Sequence, residues 1–400
     1  MEAIKFEQLF QLGIADPFPF YHRLRASDPV YWCPDVLPGW YISRHADVLA
    51  ITEDGKRFGN KDIVTYPLQQ ETNGTFWHSQ ADGILFRDGA DHARVRRLCS
   101  MALSEDLVQG MRPRTEALAN QLLDGLRGNE AMDVVNDYAV PLSHTILLEL
   151  VGAPPRDVKL LRRWGIDLHN GLDLLPNPET ARQGEVTNRE LVDYYRQAIA
   201  ERRRNPARDL ISGMIAAESE GAKLTEAEMI GTLIQMTPGP DAVTMLMSNA
   251  VLALIRHSDQ LQLLRQNPSL MPNAIQEFLR YEAPVGVFMR VATEDVSFRD
   301  QPIKKGQMIC LMFRAANRDP ERFADPDRLD VTREQIIHFS FSQGPHRCMG
   351  YHLAPLIAEI GINALVQRLS DLTLATDKLV YRKSFVMRAL EALPVTFSAR

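Results

Sequence analysis

The sequence predicts a mainly helical α+β protein, organised as one large domain over residues 1–400. Two observations predict this class. Apolar residues recur at helical spacing through the middle of the 400-residue chain, whereas short strand patterns lie near its two ends. Because the strands do not alternate with the helices, a doubly wound parallel sheet is disfavoured. The apolar fraction of 45% and the charged fraction of 24% are ordinary for a globular protein, which excludes a disordered or fibrous chain.

The predicted elements follow one another in a simple order. Two short strands come first, around a turn rich in proline and glycine, at Pro29–Cys33 and Gly39–Ser43. Helices are then predicted from apolar residues at helical spacing, at Glu105–Leu126, Tyr138–Val151 and Asn188–Arg204, and in two or three segments of Leu224–Leu279. One of these segments is interrupted at Thr237–Asp241. Strands are predicted again near the end of the chain, at Glu294–Phe298, Gln307–Met312 and Ala392–Phe397.

Charge and cysteine usage narrow the function classes. Lys and Arg number 45 and Asp and Glu 51, a net charge of −6, so a dedicated binder of nucleic acid or of anionic membranes is not expected. The four cysteines form no Cys-x-x-Cys pair, which argues against a disulfide framework and a zinc site. The chain begins without a basic signal-peptide region and contains no window of about 18 uncharged apolar residues. We expect a cytoplasmic monomer.

The most informative segment is Phe341–Gly350, which is rich in loop residues and leads into the helical pattern of Tyr351–Leu369. Its cysteine, Cys348, precedes a helix whose unpaired N–H groups and dipole would lower the pKa of the thiol. The positive charges of His346 and Arg347 would act in the same direction. Gly344 and Gly350 allow a flat ligand to approach the backbone closely. Two other interpretations remain open: a buried structural cysteine in a binding protein, or the nucleophile of a thiol hydrolase.

This segment resembles the haem-binding signature of the cytochrome P450 family, Phe-x-x-Gly-x-His/Arg-x-Cys-x-Gly. All its fixed positions are filled, by Phe341, Gly344, His346, Cys348 and Gly350. The resemblance implies the mostly helical, single-domain haem-thiolate fold with small β regions. It also implies that Cys348 is the thiolate ligand of the iron of haem b, and that His346 contacts a haem propionate.

Further segments resemble motifs of the family and occur in the same order along the chain. The resemblance implies that His92 and Arg96, one helical turn apart, and Arg290 bind the propionates. It also implies a structural ion cluster of Glu277 and Arg280 with a third member at Arg328.

Arg322 is a rival for the third position in this cluster. It lies in a literal Pro-Glu-Arg-Phe segment at Pro320–Phe323, but the surrounding sequence favours Arg328.

The chain departs from the family at the oxygen-activating motif, which here reads Pro238-Gly-Pro-Asp-Ala242. The catalytic acid is retained as Asp241, but Ala242 stands where the family carries a threonine whose hydroxyl assists dioxygen activation. Thr244 lies roughly 200° further around a helix, and Thr237 a full turn away. Pro238 and Pro240 each remove a helical hydrogen bond, which predicts a kinked or opened helix. A substrate group or water completes the proton relay, or the enzyme uses peroxide, or it catalyses coupling or desaturation.

The favoured hypothesis is a monooxygenase that uses dioxygen to hydroxylate or epoxidise a small, largely hydrophobic molecule. The resemblance implies electrons from a ferredoxin and its ferredoxin reductase, or from a flavodoxin-type donor, because the haem domain accounts for the whole length. The alternative is a peroxide-driven, coupling or desaturating enzyme. The pocket implied by the resemblance is lined by Phe76, Trp77, Gly239, Ala242, Val285, Phe288 and Val386.

Overall fold

The computed structural model describes residues 16–34, 37–65, 80–126, 128–171, 173 and 178–399. Helices make up most of the described chain. In order they are α1 (Phe18–Ser27), α2 (His45–Glu53), α3 (Gly89–Ala102), α4 (Glu105–Gly110), α5 (Arg112–Asp124), α6 (Val140–Val151), α7 (Val158–Gly171), α8 (Pro178–Arg204), α9 (Leu210–Ala216), α10 (Glu226–Met236), α11 (Gly239–Arg256), α12 (Ser258–Gln266), α13 (Met271–Tyr281), α14 (Phe313–Asn317) and α15 (Leu353–Arg368).

Strands are short and lie mostly towards the two ends of the chain. In order they are β1 (Val30–Cys33), β2 (Gly39–Ile42), β3 (Phe58–Gly59), β4 (Ala131–Asp133), β5 (Glu218–Ser219), β6 (Ala222–Lys223), β7 (Phe288–Ala292), β8 (Val296–Phe298), β9 (Gln301–Ile303), β10 (Met308–Leu311), β11 (Leu369–Leu374) and β12 (Pro394–Ala399). The largest sheet has the order β1-β2-β10-β7-β3, and a second has the order β11-β12-β4. The predicted mainly helical α+β class is confirmed.

The core is organised around α11, whose residues from Val243 to Leu254 are all buried. This helix packs against α6, α7, α13 and α15. The helix before it, α10, starts with a capping box in which Thr225 and Glu228 exchange side-chain and backbone hydrogen bonds. Among the helices of the described residues, none has the length and apolarity needed to cross a lipid bilayer.

Two predicted helices have different bounds in the structure. The segment predicted as one helix over Glu105–Leu126 is two helices, α4 and α5, which meet at Met111. Pro113 has no N–H to continue a helix across this point. The long helix α8 starts ten residues before the predicted Asn188. Its extra turns bury Ala181, Gly184 and Thr187, which are too small or too polar to give an apolar periodicity.

A buried ion pair connects α13 to the long loop that follows α14. Two guanidinium nitrogens of Arg280 each donate to Glu277 at 2.7 Å, and both side chains are completely buried. Arg280 also donates to the carbonyl oxygens of Asn317 (3.0 Å) and Pro326 (2.8 Å). The loop is therefore attached to α13 by charge-assisted hydrogen bonds.

The third cation of this cluster is Arg333, which corrects the predicted Arg328. Nε of Arg333 lies 3.3 Å from Oε1 of Glu277, whereas Arg328 contributes only its carbonyl oxygen, 3.2 Å from Arg280. The rival candidate, Arg322, donates to the carbonyl oxygen of Gln335. The spacing along the sequence could not identify the cation, because the loop turns back on itself before its side chains reach Glu277.

Replacing Glu277 with glutamine should strongly destabilise the fold. The variant leaves Arg280 buried without its counter-charge, and breaking such a pair costs about 3–5 kcal/mol. Urea denaturation would measure the change. The matched control is Glu185→Gln, which breaks an exposed pair with Arg189 at 2.9 Å and should cost less than about 1 kcal/mol. Equal losses in the two variants would contradict a structural role for the buried pair.

Candidate functional site

The loop that carries Cys348 is closed by backbone hydrogen bonds within it and lies close to the end of α2. The N–H of Cys348 donates to the carbonyl oxygen of Phe341 at 2.7 Å, and the N–H of Arg347 donates to that of Gly344 at 3.1 Å. Gly344 has a φ of +70°, and a Cβ there would lie 2.3 Å from the carbonyl oxygen of Thr52. Only glycine fits this close contact, so the glycine of the motif allows the loop to lie against α2.

Cys348 differs from the other three cysteines, all of which are buried, because it retains exposed surface. The predicted lowering of its pKa is nevertheless wrong for the free thiol. The surrounding protein desolvates the sulfur and raises the pKa of Cys348, against the opposing effects of the Gly350 N–H and of Arg96 and Arg347. The helix α15 starts at Leu353, five residues beyond the cysteine, so the thiol is not at its first turn.

Two histidines from distant parts of the sequence lie next to each other near this loop. The rings of His92, on α3, and His346 are 4.1 Å apart. Nε2 of His346 lies 3.3 Å from Oδ1 of Asp88, whereas Nε2 of His92 is buried without a hydrogen-bond partner. Burial, helped by His346 and Arg96, lowers the pKa of His92 to about 4. The free nitrogen of His92 therefore lacks a partner that the protein itself could supply.

Arg290 also has a buried side-chain nitrogen without a hydrogen-bond partner. Its side chain is among the largest that are fully buried, with Nη1 donating to the carbonyl oxygen of Met289 at 2.8 Å and Nη2 without a partner. Burial lowers the pKa of Arg290 to about 10, against the effect of Asp88. Arg96 donates to the carbonyl oxygen of Arg347, which ties α3 to the loop of Cys348.

These groups fit the expected cofactor. A buried polar group without a partner is rare and costly, and His92 and Arg290 each leave a nitrogen unpaired. Haem b carries two carboxylates, which match unpaired donors and cations, and an iron that thiolate ligands bind well. His92 and Arg290 would bind the carboxylates with support from Arg96 and His346, and Cys348 would bind the iron.

The interrupted helix carries a second group of candidate catalytic residues. As predicted, the helix breaks at Thr237–Asp241: α10 ends at Met236 and α11 starts at Gly239. Gly239 and Ala242 are partly exposed, and open space lies next to Gly239.

Neither nearby threonine replaces the missing hydroxyl. The hydroxyl of Thr237 donates to the carbonyl oxygen of Leu233 at 2.9 Å and contacts the Tyr195 hydroxyl at 2.7 Å. The hydroxyl of Thr244 is hydrogen-bonded to that of Ser143 at 2.8 Å.

Asp241 is almost completely buried among basic side chains. Its Oδ2 lies 2.8 Å from Nη1 of Arg382 and 3.5 Å from Nδ1 of His169, and its Oδ1 lies 3.7 Å from Nε2 of His144. Although burial opposes it, these three neighbours hold the pKa of Asp241 well below its usual range. The sequence analysis missed all three. They come from α6, α7 and the segment before β12, and no local pattern marks them.

The predicted pocket residues are only partly described. Phe76 and Trp77 lie outside the described residues. Val285, Phe288 and Val386 are all half-buried. The N–H of Gly286 donates to the carbonyl oxygen of Val386 at 2.8 Å, which joins the two segments. The guanidinium of Arg290 lies 5.3 Å from the ring of Phe288, so this edge of the predicted pocket adjoins the cationic group.

The chain is similar to known proteins along nearly its whole length. The family model "Cytochrome P450" matches residues 166–392. The biotin biosynthesis cytochrome P450 of Bacillus subtilis (strain 168) is 36% identical over 96% of this chain and 97% of its own. The vitamin D(3) 25-hydroxylase of Pseudonocardia autotrophica is 31% identical over 96% of this chain and 94% of its own.

A solved structure also matches this chain along nearly its whole length. The crystal structure of P450BioI in complex with hexadec-9Z-enoic acid ligated acyl carrier protein has a TM-score of 0.91 to this chain at 35% identity. The match covers 96% of this chain and 98% of that one.

Replacing Arg290 with leucine should weaken retention of the haem. A hydrogen bond to a charged group contributes about 1.5–3 kcal/mol, so haem loss should accelerate about 10- to 100-fold. Transfer of haem to apomyoglobin would measure the rate. Arg203→Leu, which alters an exposed ion pair with Glu226, is the control. If the two variants lose haem at the same rate, Arg290 does not bind the cofactor.

Proposed function

The chain belongs to the cytochrome P450 family, and from this premise we propose that it hydroxylates or epoxidises a small, largely hydrophobic molecule with electrons from separate proteins. It is an oxidoreductase of the haem-dependent monooxygenase class, and its cofactor is haem b. When bound, a haem iron with a thiolate ligand supplies reductive activation of dioxygen. The observation that carries the proposal is the pair of unpaired buried donors, His92 and Arg290, beside the loop of the one exposed cysteine.

Our assignment gives each residue of the cofactor site a definite role. Cys348 is the iron ligand, and the fixed contact of Gly344 with α2 positions its loop. Arg290 and His92 bind the two carboxylates and so orient the ring. Arg96, through the carbonyl oxygen of Arg347, keeps α3 in contact with the ligand loop.

Proton supply is the unusual part of this enzyme. Insertion of one oxygen atom from dioxygen consumes two electrons and two protons, and Ala242 cannot donate a hydrogen bond. The hydroxyls of Thr237 and Thr244 are already bonded within the protein. We propose that a polar group of the substrate, or an ordered water, takes the place of the missing hydroxyl and connects to Asp241. The substrate then carries a hydroxyl, amide or carboxylate near the oxidised carbon.

We infer the substrate class from the apolar residues of the predicted pocket. Val285, Phe288 and Val386 offer partly exposed apolar surface, which supports a hydrophobic ligand. The hydroxylase relative acts, by its name, on vitamin D(3), which is consistent with such a ligand.

Electrons are proposed to enter near Cys348 from a ferredoxin with its reductase, or from a flavodoxin-type donor. Arg347 and His352 are exposed there, and the guanidinium of Arg347 lies 4.1 Å from the ring centre of Tyr351. A locally basic surface attracts an acidic donor and accelerates its docking, even though the whole chain carries a net charge of −6.

A second candidate is favoured by one observation, the alanine at position 242. Hydrogen peroxide brings its own protons, so a peroxide-driven enzyme has less need of the missing hydroxyl. Oxidative coupling or desaturation, in which oxygen is not delivered to the product, is a related possibility.

The choice of oxidant can be tested directly. A ligand screen that follows the haem spin-state shift would first identify a substrate. We then expect product from NAD(P)H with ferredoxin and ferredoxin reductase, and little product from hydrogen peroxide alone. The reduced protein with carbon monoxide should show the long-wavelength Soret band of thiolate ligation. Faster turnover with peroxide alone would favour the second candidate.

The variant Ala242→Thr should lower the fraction of electrons lost to hydrogen peroxide, because it restores a hydroxyl beside Asp241. Peroxide and product are measured per NAD(P)H consumed. The control is Ala200→Thr, at an exposed position of α8. Unchanged coupling in Ala242→Thr would show that the missing hydroxyl does not limit proton delivery.

A further inference from the structure

The side chains around Asp241 are not fully hydrogen-bonded. Ten buried side-chain nitrogen or oxygen atoms of the described residues lack a partner, and three of them belong to this one cluster: Oδ1 of Asp241, Nδ1 of His169 and Nε of Arg162. Buried polar atoms are otherwise almost always paired. The deficit distinguishes this cluster from a structural ion pair such as Glu277–Arg280, which is completely bonded.

The charges in this cluster favour the ionised form of Asp241. The groups that face it come from every element packed around it: His144 on α6, Arg162 and His169 on α7, and Arg382 before β12, with Asp133 on β4 beyond Arg162. Although burial opposes it, His169, Arg382 and His144 keep the pKa of Asp241 well below its usual range. The carboxyl group is therefore ionised at neutral pH, and a donated proton must come from a neighbour.

His144 is in the neutral form that can receive a hydrogen bond from a protonated Asp241. Its Nδ1 lies 3.2 Å from the carbonyl oxygen of Val140 and 3.2 Å from the hydroxyl of Ser143. The carbonyl oxygen can only accept, so it hydrogen-bonds the tautomer that carries the hydrogen on Nδ1. Burial lowers the pKa of His144 to about 4, against the effect of Asp241, so the ring is neutral at neutral pH, and in this tautomer Nε2 carries no hydrogen. This nitrogen lies 3.7 Å from Oδ1 of Asp241, and because no hydrogen lies between them, the two lone pairs repel each other. A proton on Oδ1 would turn this unfavourable approach into a hydrogen bond.

His169 stands on the opposite oxygen and is nearer to solvent. Its Nδ1 faces Oδ2 of Asp241 at 3.5 Å, a gap that closes by a small movement or is bridged by one water. Its side chain keeps 10% of its surface exposed, against 2% for Asp241 and 3% for His144. Imidazole is the side chain best suited to exchange protons near neutral pH.

We propose that His169 is the proton-relay residue of the site around Asp241, giving the proton on its Nδ1 to that carboxyl group. In this step the cationic form of His169 loses the hydrogen of Nδ1 as the O–H bond of Asp241 forms, which leaves a neutral imidazole. No electrons are transferred, and a proton from solvent restores the cationic form of His169. The relay rests on the proposed function, because it assumes that turnover consumes protons beside Ala242. It differs from that proposal in placing the proton source on α7.

The first test is the variant His169→Asn. Its amide keeps an N–H where Nδ1 stands, so the polar contact with Asp241 can persist, but the amide cannot cycle a proton. Product formed per electron should fall about tenfold or more, in line with general acid–base contributions, while haem reduction stays unchanged. The solvent deuterium isotope effect and the pH dependence of coupling should change. The matched control, His257→Asn, alters a histidine bonded to the carbonyl oxygen of Ala253 and should leave coupling unchanged.

The second test needs neither turnover nor a histidine variant. The reduced, carbon monoxide-bound holoenzyme is diamagnetic, so ¹⁵N-histidine labelling can report which ring nitrogens carry protons. We expect Nδ1 of His169 to carry a hydrogen, and its resonance to shift in Asp241→Asn. An Nδ1 without a hydrogen would overturn the relay.

The outcomes separate the two proposals. Normal product formation by the wild type, with the same coupling and solvent isotope effect in His169→Asn, overturns the relay and leaves the proposed function standing. A wild type without the long-wavelength carbon monoxide band overturns the proposed function, and the relay with it.

Discussion

The buried ion pair between Glu277 and Arg280 is the constraint on which the cofactor side of the molecule depends. Arg280 donates to the carbonyl oxygen of Asn317 at the end of α14 and to two carbonyl oxygens of the following loop. Glu277 accepts the N–H of Asp330 at 3.0 Å in addition to Arg333. The loop continues into the segment that ends at Cys348, and the hydroxyl of Ser340 bonds the carbonyl oxygen of Leu279 on α13 itself. The position of the cysteine is therefore set by completely satisfied hydrogen bonds to one helix, which a single lost charge would disturb.

The two functional sites have the opposite property, because each leaves buried polar atoms unpaired. His92 and Arg290 each keep a free nitrogen next to the cysteine loop, and Asp241 and His169 keep free atoms at the break between α10 and α11. We propose that at the first site a bound cofactor with two carboxylates supplies the missing partners. At the second site the missing partner is a proton or a water, which is consistent with a place where protons move. The fully bonded pair of Glu277 and Arg280 stabilises the structure, whereas five of the ten unpaired buried atoms of the described residues belong to these two sites.

The consequence of the alanine at position 242 depends on the residues around it. Thr237 and Thr244 lie close along the sequence, yet the structure commits both hydroxyls to other bonds. The protein instead surrounds the retained acid with two histidines and two arginines. This arrangement moves the proton source away from the helix that carries Asp241 and onto its neighbours. A substrate with its own polar group would complete the connection on the open side of Gly239.

The sequence by itself determined the fold class, the break at Thr237–Asp241 and the cysteine loop, because these depend on local spacing and on residues that lie within a few turns of one another. It identified the wrong third cation, Arg328 in place of Arg333, and the wrong direction for the pKa of Cys348. Only the tertiary structure decided these points, since charge pairing and desolvation depend on distance in space. For the same reason it alone assembled His144, His169 and Arg382 around Asp241, from three elements that no sequence pattern connects.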